Sequence, residues 1–503
     1  MKNLAQQNIL VLGLGASGLA LARWCVRCGA KVTVADTRPA PPQLAPLQVG
    51  VPTAIFVNAA MDAALLDGAD FDLVLKSPGL SPASVSAVMA AAQAQGIPRG
   101  NELSLFAQAL ADLKEGQSYA PKVIGITGTN GKTTVTSLAG QLIERAGKSV
   151  AVAGNIGPTL LDTLAEKLDA CQADETLSLP EVWVLELSSF QLDGVTNFEP
   201  SVATVLNISQ DHLDWHETLS AYIAAKAQVY GSGAIMLLNR DDPRVLAALP
   251  APVKGKPSRS YITFGSDEPK RPGDYGIETV NGMAWLVRAA EAEETIKRRK
   301  TEELVLHIQR LMPLEALRIR GRHNATNALA ALGLAVAVGC ALAPMLHGLR
   351  EYRGEPHRVE SVAVLGGVEY FDDSKGTNVG ATVAALAGLG SERKLVLILG
   401  GEGKGQDFSP LADAVSRYAR AVVLLGRDAP LIGAALQGAQ VALLNAASMH
   451  EAVSLAAGQA QSGDAVLMSP ACASFDMFDN YQHRARVFCD AVQALAVEQG
   501  AVL

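Results

Sequence analysis

Residues 122–134 read KVIGITGTNGKTT, an apolar run that ends in a glycine-rich turn and then opens a helix with Lys132 and Thr133. A strand that feeds straight into a helix is half of a βαβ unit, so this stretch commits its part of the chain to a parallel sheet with helical cover. The turn also carries chemistry. Backbone N–H groups at such a helix start face phosphate oxygens, the lysine reaches the outer phosphates, and the hydroxyl beside it can hold magnesium. Gly128, Thr129, Asn130, Gly131, Lys132, Thr133 and Thr134 are therefore the candidate ATP-binding loop. The spacing departs from the full phosphate-loop pattern, because Ile126 stands where the first glycine is usual and Gly128 lies nearer the lysine.

The same alternation of apolar run, turn and helix recurs along the chain. NILVLGLG, KVTVADT and FDLVLKSPG occupy the first part, SVAVAGN, VWVLELSS, VATVLNIS and AIMLLN the second, and VEYFDDSKGTN, KLVLILGGEGKG, AVVLLGRD and DAVLMSPACASFD the third. Strands this evenly apolar belong in parallel sheets covered on both faces. At 503 residues the chain exceeds what one core supports. The reading is α/β in three domains: a Rossmann-like N-terminal domain (1–112), a central P-loop ATPase-type domain (113–354) and a C-terminal Rossmann-like α/β domain (355–503). The stretch 113–121 reads as a linker. LDACQADETLSLPE (168–181) and RAAEAEETIKRRKTEEL (288–304) read as insertions, the second a solvated surface helix within a wider 267–316 region.

Composition excludes several classes. A net charge of −8 leaves no surplus of Lys and Arg for nucleic acid. No apolar run is long enough to span a bilayer, and MKNLAQQNIL does not resemble a signal peptide, so a cytoplasmic protein is expected. Six cysteines are too sparse for a disulfide framework, and Cys25-x-x-Cys28 lies in a helical stretch rather than a redox or zinc motif. A monomer is expected.

Further candidates lie where apolar runs end. Gly13-Leu14-Gly15-Ala16-Ser17-Gly18 has G-x-G-x-x-G spacing, and Asp36 stands where a dinucleotide enzyme places its ribose-binding acid. From these residues alone, NAD and another phosphate ligand are equally served. Glu186 ends a buried-type strand, where a carboxylate needs a partner or a metal. NISQDHLDWH gathers Asp211, His212, Asp214 and His216. AYIAAKAQVY places Tyr222, Lys226 and Tyr230 on one helix face, where a lysine ordinarily snorkels. GRHNATN brings Arg322, His323, Asn324 and Asn327 to a helix start. DDSKGTN (Asp373, Ser374, Lys375, Thr377, Asn378), Lys404 and SPACASFDMF (Ser469, Ser474, Phe478) supply donors suited to amino-acid carboxylates.

In this order TGTNGKTT, LELSSFQ, DHLDWH, AAKAQVY, GRHNATN, PHRVE, DDSKGTN and SPACASFDMF closely resemble the Mur ligases of bacterial peptidoglycan synthesis, whose wider family includes the folylpolyglutamate synthetases. The resemblance spans the chain apart from the two insertions. It implies ATP-driven amide formation through an acyl phosphate, with UDP-N-acetylmuramoyl-L-alanine and D-glutamate as the joined substrates, in cell wall biogenesis and hence cell shape and division. It implies catalytic roles for Lys132, Glu186, His212 and Lys226. Two magnesium ions would be held by Thr133, Glu186, His212 and a carbamylated Lys226. Asn324, Arg358 and Asp373 would join the phosphate loop on ATP. Leu14, Gly15, Ala16, Ser17, Asp36, Thr37, Arg38, Ser77, Pro78, Gly79 and Asn155 would meet the UDP substrate, and Lys375, Thr377, Lys404, Ser469 and Phe478 the D-glutamate. An NAD-dependent oxidoreductase accounts for residues 8–38 but leaves GTNGKTT and DDSKGTN without a task. A free-standing P-loop ATPase accounts for the second domain only, and a sister amide ligase with another amino acid would carry a different loop at DSKGTN.

Overall fold

The computed structural model describes residues 4–68, 70–255, 258–291, 306–390 and 393–500. Its N-terminal sheet is parallel, in the order Ile55–Asn58, Lys31–Asp36, Asn8–Leu12, Leu73–Lys76, Arg99–Gly100. The order reverses between Asn8–Leu12 and Leu73–Lys76, and ligands of open α/β sheets sit outside such a switch point. Gly13 and Ser77 follow these two strands directly.

The central sheet is also parallel, ordered Tyr261–Phe264, Ile235–Asn239, Val202–Val205, Lys122–Thr127, Val182–Glu186, Val150–Gly154. Its switch point lies between Lys122–Thr127 and Val202–Val205, so the phosphate loop and the loop after Val205 share one crevice. A three-stranded antiparallel sheet (Tyr275–Val280, Met283–Glu291, Leu306–Pro313) packs on the helix Arg322–Ala337. Here the expected surface helix is corrected at its start: Arg288–Glu291 finish a strand. Tyr275, Ile277, Leu286 and Met312 form a buried face, and cross-strand pairing prevails over the helical charge pattern. Residues 292–304 of that segment lie outside the described residues. The helix Glu102–Gln117 likewise runs into the stretch read as a linker.

The C-terminal sheet is ordered Glu360–Leu365, Val368–Asp372, Ala465–Met468, Leu395–Gly400, Ala419–Leu425, Ala442–Ala446, parallel except for the first hairpin. Apolar clusters cover both its faces. The two junctions between sheets differ in kind. One apolar cluster runs from Ile9 and Trp24 through Phe106 to Trp183 and Leu185, fusing the first two units, with Phe106 edge-on to Trp183 at 5.1 Å. The third unit meets the central one through polar groups. Asn130 and Asn378 exchange amide hydrogen bonds of 3.2 and 3.0 Å, and Arg358 Nη2 donates to Thr133 Oγ1 at 2.7 Å.

Candidate active site

Glycine is required at the phosphate loop for two reasons. Gly131 has φ +83, and a Cβ there would meet Asn327 Oδ1 at 2.8 Å. The helix Lys132–Arg145 starts with no side-chain cap, so its N–H groups face the crevice. Lys132 Nζ curls back onto the Gly128 and Thr129 carbonyls at 2.8 and 2.9 Å. Burial lowers its pKa, and the charges of Glu186 and Asp211 partly offset that. Thr129 Oγ1 braces the loop against Ser209 and the Tyr222 hydroxyl.

Across the crevice, Glu186 is 1% exposed and accepts from Asn155 Nδ2 at 2.9 Å. His212 adopts φ +54 and packs edge-on against Phe190 at 4.7 Å; burial lowers its pKa, against the pull of Asp211. Asp211 accepts from Asn378 Nδ2 at 3.3 Å. Lys226 departs from the snorkelling expectation. It is 1% exposed, with Nζ 2.9 Å from the Gly128 carbonyl and 4.6 Å from the Tyr222 ring centroid. The short helix Leu219–Ala227 points it inward beneath the phosphate loop, where burial and the Lys132 charge hold its pKa well down. The remaining candidates of these two motifs are structural or solvated. His216 bonds Ser189 Oγ at 2.9 Å and burial lowers its pKa to about 4, the Tyr230 hydroxyl accepts from the Val205 N–H, and Asp214 is exposed.

Beside this crevice a cavity between the central and C-terminal units is lined by Gly131, Thr134, Asn324, Asn327, Arg358 and Asp373. Asn327 Nδ2 donates to Asn324 Oδ1 at 3.2 Å, fixing both amides at the helix start. Burial pushes the Asp373 carboxyl up to about 7, and the Ser469 hydroxyl donates to it at 2.6 Å. Ser469 is thus fully buried behind Asp373. Lys375, Thr377 and Asn378 share the crevice with Lys132, Glu186, His212 and Lys226. Lys404 and Thr377 line a recess with Asp211 and His212. Phe478 lies against His483 and the C-terminal apolar cluster.

Two residues of this loop cluster escaped the sequence reading. Lys375 Nζ sits 3.8 Å from the Tyr481 ring centroid, which places an aromatic face beside DSKGTN. Arg484, 2% exposed, donates to Ser374 Oγ, the Ser374 carbonyl and the Cys472 carbonyl, stapling two site loops together. Both sit just past SPACASFDMF, and an arginine within an otherwise apolar helix face was the available signal.

At the N-terminal switch point, Gly13 has φ +85 and a Cβ on Gly18 would meet the Gly13 carbonyl oxygen at 2.0 Å. Asp36 accepts from the Leu14 N–H at 2.8 Å and is gripped by Arg38 through Nε and Nη2 at 2.9 and 2.7 Å. These bonds hold its pKa down to about 2. Both carboxylate oxygens are committed, which does not suit a ribose-binding acid. Ser77 packs against Gly13, Pro78 is half-buried, Thr37 and Gly79 are exposed, and Lys76 pairs with Asp193 of the central unit at 2.8 Å.

Residues 7–99 match the Mur ligase MurD-like N-terminal domain, 126–335 the Mur ligase middle domain and 357–472 the Mur ligase glutamate ligase domain. The chain is 66% identical to the UDP-N-acetylmuramoylalanine--D-glutamate ligase of Albidiferax ferrireducens, covering 100% of this chain and 99% of that one. Identity to the ligase of the same name from Burkholderia thailandensis is 56%, over 98% of each chain. Among solved structures, MurF ligase from Thermotoga maritima in complex with ADP shares the fold with TM-score 0.56 and 16% identity, over 98% of this chain and 97% of that one. UDP-N-acetylmuramate-alanine ligase MurC from the same organism gives 0.53 and 19%, over 97% and 100%. A central phosphate loop flanked by two further α/β units, matched along its whole length, makes this chain a member of the Mur ligase family.

Proposed function

We propose that this protein joins D-glutamate to UDP-N-acetylmuramoyl-L-alanine at the expense of ATP, in peptidoglycan precursor synthesis. The observation that carries the reading is the single crevice in which Lys132, Glu186, His212 and Lys226 of the central unit face Lys375, Thr377 and Asn378 of the C-terminal unit. The whole-chain relatives that bear this ligase name support the choice of substrates.

The reaction is acyl activation followed by amide formation. The carboxylate of the nucleotide substrate attacks the γ-phosphorus of ATP and ADP leaves. The amine of D-glutamate then attacks the acyl-phosphate carbonyl, the nitrogen loses a proton and inorganic phosphate departs. Lys132 neutralises charge on the transferring group, and positioning supplies most of the rest. The committed Asp36–Arg38 pair beside the uncapped helix Ala16–Arg27 favours a nucleotide-sugar diphosphate over NAD at the first turn, with Ser77, Pro78, Gly79 and Asn155 completing that end. Asn324, Arg358 and Asp373 hold the ATP, and Lys375, Thr377 and Lys404 the amino-acid carboxylates. Residues 1–112, 113–354 and 355–503 then serve UDP substrate, ATP and amino acid respectively.

Hard oxygen donors fit magnesium here: the buried Glu186 carboxylate and the Thr133 hydroxyl, with the His212 imidazole in the same crevice as Glu186. Bound there, magnesium would screen phosphate charge. An ammonium at Lys226 does not fit that donor set, but a buried amine with a depressed pKa is nucleophilic toward carbon dioxide, and the carbamate so formed is an oxygen donor. The test of function is phosphate release with UDP-N-acetylmuramoyl-L-alanine, magnesium ATP and a panel of D- and L-amino acids. Release should require both the nucleotide and D-glutamate. Equal rates with L-glutamate, or hydrolysis without the nucleotide, would sink the reading.

A further inference from the structure

The N-terminal ends of three helices meet at one buried carboxylate. Glu102 begins the helix Glu102–Gln117 and reaches the start of the helix Leu160–Ala173, where its Oε1 accepts from the Leu161 N–H at 3.2 Å. The Leu160 N–H and the hydroxyl of Ser17, in the first turn of Ala16–Arg27, also stabilise its charge. The residue is 1% exposed, and Oε2 has no hydrogen-bond partner. Neither partner helix caps itself: Gly15 has no side chain to offer, and Thr159 makes no capping bond. Glu102 takes that part for Leu160–Ala173, and at Ala16–Arg27 it meets the Ser17 hydroxyl.

The two partner helices come from different units. Arg23–Asp162 at 3.4 Å and Arg27–Asp169 at 2.6 Å tie them along their length, but partly exposed ion pairs contribute little. Their register is set at the buried end. Each helix continues a loop that matters. Ala16–Arg27 follows the first glycine turn, and Leu160–Ala173 follows residues 155–159, whose Asn155 grips Glu186.

We propose that Glu102 is a positioning residue for the nucleotide sugar, fixing the turn Leu14–Gly18 against residues 155–159 and setting through its charge how strongly that turn holds a diphosphate. The inference rests on the substrate reading above. A diphosphate diester keeps two negative charges at every pH near neutrality, so an ionised Glu102 behind the turn opposes it and a protonated one does not. Burial pushes this carboxyl up to about 6, and Asp162 on the facing helix, itself paired with Arg23, pushes the same way. Acid therefore strengthens the hold.

The test is steady-state kinetics on the wild type, Glu102→Gln and Glu102→Ala, with KM for UDP-N-acetylmuramoyl-L-alanine, KM for ATP and kcat followed from about pH 7.5 down to about pH 5.5. The wild-type KM for the nucleotide sugar should fall at least about threefold toward acid, while that of Glu102→Gln stays low and flat. Glu102→Ala should raise the same KM about tenfold with kcat and the ATP KM within about twofold. A Gln variant that keeps the wild-type pH profile overturns the proposal, as does an Ala variant whose kcat and two KM values all worsen alike. Should the Ala variant not fold, the Gln profile decides alone. A wild type that turns the substrate over with a pH-independent KM sinks this inference only. A wild type with no turnover of it sinks the functional reading as well.

Discussion

The turns at Gly13–Gly18 and Gly128–Lys132 are built alike, each with a buried strand, at least one glycine at positive φ and a helix start that no side chain caps. They differ in what stands behind them. The first is backed by Asp36, whose charge Arg38 already balances, and by Glu102, buried behind the helix starts. The second is backed by groups free to act on a ligand, with a lysine that reaches only its own carbonyls and a carboxylate, Glu186, that faces the crevice. A helix N-terminus welcomes any anion. Neighbouring side chains decide whether that anion is merely held or made to react.

The comparison breaks most sharply at Lys132. Lys132→Ala should lower kcat about a thousandfold while leaving the KM for UDP-N-acetylmuramoyl-L-alanine within about twofold, since in the proposed reaction only the second turn meets a transferring phosphoryl group. An equal loss in both parameters would mean that the two turns act as one site. Lys226→Ala should cost about a hundredfold in kcat, with partial recovery on adding a short-chain carboxylate. Full activity without rescue would remove the carbamate from the scheme. Gly18→Ala tests the architecture of the first turn. Its Cβ would meet the Gly13 carbonyl oxygen at 2.0 Å, whereas Gly15 has nothing within 4 Å. The first substitution should destabilise by about 2 kcal/mol or more in urea titration and Gly15→Ala by under about 1 kcal/mol. Asp36→Ala should raise the nucleotide-sugar KM about tenfold with kcat unchanged. Because folding depresses the Asp36 pKa to about 2, its contribution to stability is complete above its unfolded value and lost as pH falls through the folded one. The stability gap between wild type and variant should accordingly close between about pH 4 and about pH 2 in acid titration.

The phosphate loop was legible because its information is local: glycine, lysine and threonine stand side by side after an apolar run. The order of α/β units was legible for the same reason, since each apolar run carries its own turn signal. Groups whose role depends on distant partners were not. Lys226 looked like a snorkelling lysine because nothing in AYIAAKAQVY reveals that Thr127 and Gly128, 99 and 98 residues away, close over it. Glu102 drew no notice because its burial is created by two helices from elsewhere in the chain. Tyr481 drew no notice because it stands past the motif, and only the turn after SPACASFDMF brings its ring to Lys375. The antiparallel sheet of Tyr275–Val280, Met283–Glu291 and Leu306–Pro313 was hidden because a dense charge run next to it reads as helix, while strand pairing in Met283–Glu291 is dictated by partners on either side.

The seam between the phosphate loop and the C-terminal unit is made of amides and a guanidinium–hydroxyl contact, and among the described residues no apolar cluster spans it. Hydrogen bonds of this kind exchange for bonds to water at little net cost. Parting such a surface exposes little hydrocarbon, so it carries almost none of the heat-capacity change that curves the free energy of most protein transitions with temperature. The balance between a joined and a parted seam should therefore follow a nearly straight line in temperature, where the stability of a buried core follows a dome.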